Sequence, residues 1–241
     1  MKKRIWELDA LRGVLLLVMI YVHITYDLTE LFGVVTLKHS GFYDFARGWT
    51  GVAFLLLSGT CVTFGKHPVK RGLTVLAGGI CVTLVTAGMA AVGLADPDIR
   101  IWFGILHCLG FCMLLWPLLE KLPPVGRLLL GIAIILLGSY LNDRVRIGTD
   151  LLLPFGLFSR GFASSDYFPL LPFLGWFLVG SFLGQTVYRR KESLLPEAPG
   201  RNLLSRSLSW MGRNSLTIYL AHQPVIYIGI AVILYVKGVS A

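Results

Sequence analysis

"LDALRGVLLLVMIYVHITYDL" runs from Leu8 to Leu28, and its reading decides the fold of the whole chain. Its middle is apolar enough to cross a bilayer, yet it carries Asp9, Arg12, His23 and Asp27. Ionisable side chains within a span are costly, so they face a bundle interior or a watery cavity rather than lipid. At about 100° per residue, Arg12 and His23 stand only about 20° apart around a helix. Asp9, Met19, Asp27 and Glu30 fall on the same side, and Leu17, Val18 and Val22 on the other. A polar stripe therefore runs the height of the helix, backed by a lipid-like face. At a rise of about 1.5 Å per residue, Arg12 and His23 differ in depth by roughly 16 Å. Asp9 and Arg12 are also i,i+3 neighbours at a helix end, where a simple capping pair would look the same.

The rest of the chain agrees with a membrane setting. Of 241 residues, 55% are hydrophobic and only 15% charged, with a mean hydropathy of +0.72. Soluble domains carry about 25% charged residues. The fold class expected is all-α, a polytopic transmembrane helical bundle. A span needs about 20 mostly apolar residues, and about seven are legible: 10–30, 47–65, 71–94, 101–119, 125–141, 167–187 and 214–236. Residues 142–166 form an outer loop whose apolar piece is too short to cross and is read as interfacial or re-entrant. Residues 188–213 read as a charged, proline-containing cytoplasmic linker. The whole of 1–241 reads as a single transmembrane domain. Met-Lys-Lys-Arg leads straight into a full span with no small-residue cleavage site, so no cleaved signal is expected.

A net charge of +9 invites a nucleic-acid reading, but its distribution argues otherwise. With the N-terminus in the cytoplasm, 14 of the 22 Lys and Arg residues fall inside and seven outside, Arg12 lying within the first span. The cytoplasmic set includes Lys2, Lys3 and Arg4. The positive-inside rule then predicts a cell-membrane protein with its N-terminus cytoplasmic and its C-terminus outside. No nucleic-acid partner is expected. Cys61, Cys81, Cys108 and Cys112 all lie in apolar stretches, where soft, small side chains pack between helices. Cys108 and Cys112 sit one helical turn apart beside His107, but packing is the simpler reading, and no metal site is expected.

Two more spans carry histidines. In "RIWFGILHCLGF", Arg100, Gly104, His107 and Phe111 are expected to share a helical face. In "NSLTIYLAHQPVIYI", Ser215, His222 and Gln223 share one, and Pro224 removes a backbone donor. The orientation above puts His107 near the depth of His23, and His222 close to mid-membrane. These positions predict one polar cavity opening outward, with Arg12 as its basic cytoplasmic floor.

"LDALRG" and "HITYDL" in the first span, "FLLLSG" at 54–59, "FGILHCLG" at 103–110, "DYFPLLPFLGWFLVGSFLG" at 166–184 and "LSWMGRNSLTIYLAHQP" at 208–224 carry a resemblance. In order and spacing the chain resembles small bacterial membrane proteins related to the heparan-α-glucosaminide N-acetyltransferase catalytic domain. The resemblance covers nearly the whole chain. It implies a transmembrane acyltransferase that takes an acetyl group from cytoplasmic acetyl-CoA to a sugar on the far side of the membrane. The chain is shorter than the lysosomal member and lacks its luminal domain, which leaves the acceptor open. His39 lies about twenty residues before Gly59, an offset similar to that of the proposed active-site histidine of that member.

Acyl transfer needs a base, an oxyanion stabiliser and a path for the donor. His23 is the expected base, with Asp27 orienting it. His107 would share that role or donate to the oxyanion, as would Tyr26. His222 and His39 complete the catalytic candidates. Arg12, Arg71, Arg127 and Arg213, near cytoplasmic ends, suit the phosphates of CoA, although topology alone also asks for basic ends. The partners implied are acetyl-CoA, a glycan or amino-sugar acceptor and the lipid bilayer, and a homodimer is a possible assembly. The alternative is a proton-coupled small-molecule transporter, since a line of His, Asp and Arg across a membrane describes one equally. No paired repeat supports it. A retinal-linked photoreceptor is excluded by the absence of lysine from 214–236. A non-enzymatic scaffold gives no reason for buried histidines.

Overall fold

The computed structural model describes residues 5–36, 40–195 and 202–238. Within them each expected span is a helix. α1 is Trp6–Tyr26, continued by a π-helical turn at Asp27–Leu31, and α2 is Gly41–Val62. α3 is Pro68–Ala91, α4 Ile105–Leu119, α5 Pro124–Arg144 and α6 Leu170–Thr186. α7, Leu203–Arg213, precedes α8, Ser215–Val236. The class is all-α, with one isolated bridge, Phe103 to Tyr167, as the only β pairing among the described residues. Among the described residues five helices are long and apolar enough to cross a membrane: α1 with its π turn, α2, α3, α5 and α8. α4 and α6 are apolar but shorter.

Two compact units are distinguished. The first holds residues 1–54 and 192–241, hence α1, the start of α2, α7 and α8. α7 lies within the stretch expected to be linker. It is too short to span and rich in serine and arginine, so composition hides it. Asn202 caps it by accepting the Leu204 N–H at 3.0 Å. Ser209 and Gly212 are buried, while Leu203, Leu204 and Trp210 stay exposed. A Cβ at Gly212 would overlap the Asp9 carbonyl, and one at Gly13 the Leu208 carbonyl, so glycine lets α1 and α7 meet backbone to backbone. Glu7 ties down the preceding segment, accepting the Leu194 N–H at 2.7 Å and the Ser193 hydroxyl.

The second unit, residues 55–191, carries the apolar core. Leu55, Cys108, Cys112, Trp116, Phe177 and Leu178 are almost fully buried there. The free thiols of Cys108 and Cys112 pack within this core. α2 and α6 touch through Gly59, against the Phe177 carbonyl, and Gly180, against that of Leu56. Thr60 Oγ1 adds a bond to the Gly180 carbonyl at 3.0 Å.

α4 begins four residues later than expected because Ile101–Gly104 is not helical. Arg100 therefore does not share a helical face with His107 and Phe111; it lies in the preceding loop. Asp166 Oδ2 instead accepts the Ile105 N–H at 3.0 Å and starts the helix. A short helix is tolerated because eight of its residues are buried against protein rather than lipid. The apolar piece of the 142–166 loop forms only the 3-10 turn Leu153–Phe155. Its Leu151 is 85% exposed.

Candidate active site

Asp27, the last ionisable residue of the opening stretch, is fully buried in the first unit. It sits where α1 widens into the π-helical turn, a device frequent at functional sites. A buried carboxylate needs donors. Gln223 Nε2 supplies them, lying 3.0 Å from each Asp27 oxygen. The one-turn spacing of Asp27 and His23 predicts that Asp27 orients the His23 ring, but Asp27 is bonded to Gln223 instead.

His23 Nδ1 instead lies 2.9 Å from the Met19 carbonyl one turn back. A carbonyl only accepts, so Nδ1 carries the proton and the neutral ring presents Nε2 as an acceptor. His222 repeats the arrangement on α8, with Nδ1 bonded to the Tyr219 carbonyl. Its ring meets that of His23 edge to face, with centroids 4.7 Å apart and planes at 85°. His222 is 8% exposed, and its Nε2 has no partner. Gln223 Oε1 is likewise buried and unpaired. Two imidazoles, a carboxylate and an amide oxygen thus form a cluster of acceptors, one imidazole and the carboxylate from α1 and its π turn, the other imidazole and the amide from α8.

His107 lies in the second unit and is bound differently. Its Nδ1 accepts the Gly104 N–H at 3.3 Å. Thr83 gives its hydroxyl proton to the Ile101 carbonyl at 2.6 Å, and its oxygen faces His107 Nε2 at 3.4 Å. The ring also stacks on Phe103, with centroids 5.5 Å apart. Nδ1 therefore closes the start of α4, and Nε2 links that turn to Thr83 of α3. His39 lies outside the described residues, as do Lys2, Lys3 and Arg4.

The four candidate arginines differ in access. Arg12 Nη1 lies 3.4 Å from both Asp9 Oδ1 and the Gly212 carbonyl, with its side chain 17% exposed. Arg213, the next residue on α7, is exposed, and Arg71 is exposed near the start of α3. Arg127 is fully buried on the face of Trp116, 5.1 Å from the ring centre, and donates to Gln185 Oε1 at 2.5 Å. Its Nε and Nη1 find no protein acceptor. The described residues hold no group of three or more His, Cys, Asp or Glu that could bind a metal ion.

Gln223 is the partner that sequence reading missed. It shares the right helical face, but nothing in "AHQP" tells that its amide reaches Asp27. Its removal should be felt in stability. Gln223→Leu leaves the Asp27 carboxylate buried without that donor, a loss expected to cost about 1–3 kcal/mol. Thermal melting of purified protein in detergent should show a lowered midpoint, and an unchanged one would mean that Asp27 is held by other groups.

A multi-helix apolar fold with a histidine pair beside a buried carboxylate defines a polytopic membrane protein with a potential acid–base site. The comparison of sequences gives the class its chemistry. The catalytic-domain family described as heparan-alpha-glucosaminide N-acetyltransferase matches residues 4–224, and the chain belongs to that family. It is a multi-pass membrane acyltransferase. No curated protein and no solved structure matches the chain.

Proposed function

We propose that the chain carries an acetyl group from cytoplasmic acetyl-CoA to a hydroxyl or amine of a sugar-like acceptor at the outer side of the cell membrane. The observation that carries this reading is the facing pair His23 and His222, each with Nδ1 fixed on a backbone carbonyl and Nε2 left as an acceptor. The lysine and arginine asymmetry supports an N-terminus inside and a C-terminus outside.

In this reading His23 Nε2 takes the proton from the acceptor as its oxygen or nitrogen attacks the thioester carbonyl. The C–S bond then breaks, the acetyl group stays on the acceptor, and the departing CoA thiolate takes up a proton. His222, rather than the engaged His107, is the neighbour that shares the proton, and the Asp27 carboxylate offsets the charge of the imidazolium. Arg12 and Arg213 hold CoA phosphates at the cytoplasmic end, and the pantetheine arm covers the roughly 16 Å of depth between Arg12 and His23.

Purified protein given acetyl-CoA and a panel of sugars and amino sugars should release free thiol and form acetylated sugar. Proton-driven sugar uptake into vesicles with no thiol released would replace this reading by the transporter one.

A further inference from the structure

The loops that join α3 to α4 and α5 to α6 build a second site, wholly within the second unit. They enclose an open cavity of about 380 Å³ lined by Asp98, Arg100, Trp102, Asp150 and Phe162, among others. That volume lies toward the low end of the range of small-molecule sites, about 300–1,000 Å³. The walls are tied together rather than loosely apposed. Ser164 Oγ donates to the Arg100 carbonyl at 2.9 Å and Ser165 Oγ to the Ile99 carbonyl at 2.7 Å. The Phe168 N–H reaches the Phe103 carbonyl at 2.9 Å, beside the Phe103–Tyr167 bridge.

The chemistry of the rim is mixed in a particular way. Trp102 is 43% exposed although it is among the most apolar side chains of the loop. The Arg100 guanidinium lies over one face of the Trp102 ring, 5.9 Å from its centre, which makes the opposite face the one for stacking, and Arg100 Nε donates to the Pro97 carbonyl at 2.8 Å, which leaves its terminal amino groups as donors. Asp150 is oriented by the Ser159 N–H at 2.8 Å, and Asp98 is exposed. Two carboxylates against one guanidinium disfavour an anionic occupant. Planar carboxylate and guanidinium groups each offer two parallel hydrogen-bonding atoms, which match neighbouring hydroxyls. An exposed indole offers a flat face to aliphatic C–H groups. A pyranose ring has this complement: a C–H face and an edge of vicinal hydroxyls.

We infer that the Asp98–Trp102–Asp150 cavity is a sugar-binding subsite, with a pyranose stacked on Trp102 and its hydroxyls held by Asp98, Asp150 and Arg100. This rests on the acyltransferase reading only for its purpose, which is to receive the acceptor on the outer side, where both loops fall in the proposed topology. A rim of net negative charge also favours a ring carrying an amine over one carrying a carboxylate or sulfate.

The test measures binding apart from turnover. Full-length protein in nanodiscs is titrated with glucose, glucosamine and glucuronate by saturation-transfer NMR. Glucosamine and glucose should bind and glucuronate should bind less well. Trp102→Ala should weaken binding about tenfold, the equivalent of about 1.4 kcal/mol, while Trp102→Phe keeps most of it. Asp98→Asn, at an exposed position, should weaken glucosamine more than glucose; its melting midpoint should match wild type. Wild-type affinity in both Trp102→Ala and Asp98→Asn, or no saturation transfer to either sugar in wild type, would overturn the subsite. Sugar binding that is sensitive to Trp102 in a protein that acetylates nothing would keep the subsite and remove the acyltransferase reading.

Discussion

His23→Ala is expected to lower acetyl transfer by about 10²–10⁴-fold, the usual cost of a positioned base, while acetyl-CoA still binds. The expectation follows from tautomer and placement. Because Nδ1 is held by the Met19 carbonyl, Nε2 is a ready proton acceptor without any prior rearrangement. His222 stands against it with a second unpaired Nε2, so His222→Ala should also slow turnover, but less, if it shares the proton rather than abstracts it. His107→Ala differs in kind. Its Nδ1 closes the start of α4 and its Nε2 faces Thr83 of α3, so its removal should lower the melting midpoint before it touches a folded enzyme's rate. Free-thiol release by purified variants, with melting curves run alongside, separates the cases. Near-normal turnover in His23→Ala would sink the assignment, and His39→Ala would then be the variant to measure.

Much of this was legible in the sequence because lipid imposes strong rules. Each apolar run found its helix within a few residues, since a span has one way to satisfy its backbone. The polar stripe of the first helix was also legible, from period alone, and Asp27 and His23 do lie on it. What period cannot give is the partner across a gap. Gln223 and Asp27 are 196 positions apart, and no local signal pairs them. His107 shows a second thing that period cannot give, the local structural use of a side chain. A histidine in an apolar span looks functional, yet a helix that begins only at Ile105 needs capping, and His107 with Gly104 supplies it. The late start itself depends on Asp166, 61 positions away, which is why Arg100 was expected on a helix and lies in a loop. α7 escaped notice because its burial rests on glycines and serines meeting α1, a pattern without hydrophobic weight.

Arg12→Ala is expected to weaken acetyl-CoA binding about 10- to 100-fold, the worth of one charge-assisted hydrogen bond to a phosphate. Two readings of Arg12 compete, and geometry allows both. It lies 3.4 Å from Asp9 and from the Gly212 carbonyl, so it could simply fasten α7 to the first turns of α1. Those contacts are long for a guanidinium, whose charge-assisted bonds settle nearer about 2.7–2.9 Å. A phosphate at the base of the polar stripe would offer the guanidinium the shorter, charge-assisted geometry that these contacts lack. Asp9→Asn distinguishes the two. If Arg12 is a fastener, Asp9→Asn and Arg12→Ala should lower the melting midpoint alike and leave CoA affinity alone. If Arg12 holds a phosphate, Asp9→Asn should keep CoA affinity or raise it by removing a competing carboxylate, while Arg12→Ala loses it. Titration calorimetry with CoA itself reads the outcome without any turnover, and equal affinity in wild type and a well-folded Arg12→Ala would confine Arg12 to packing.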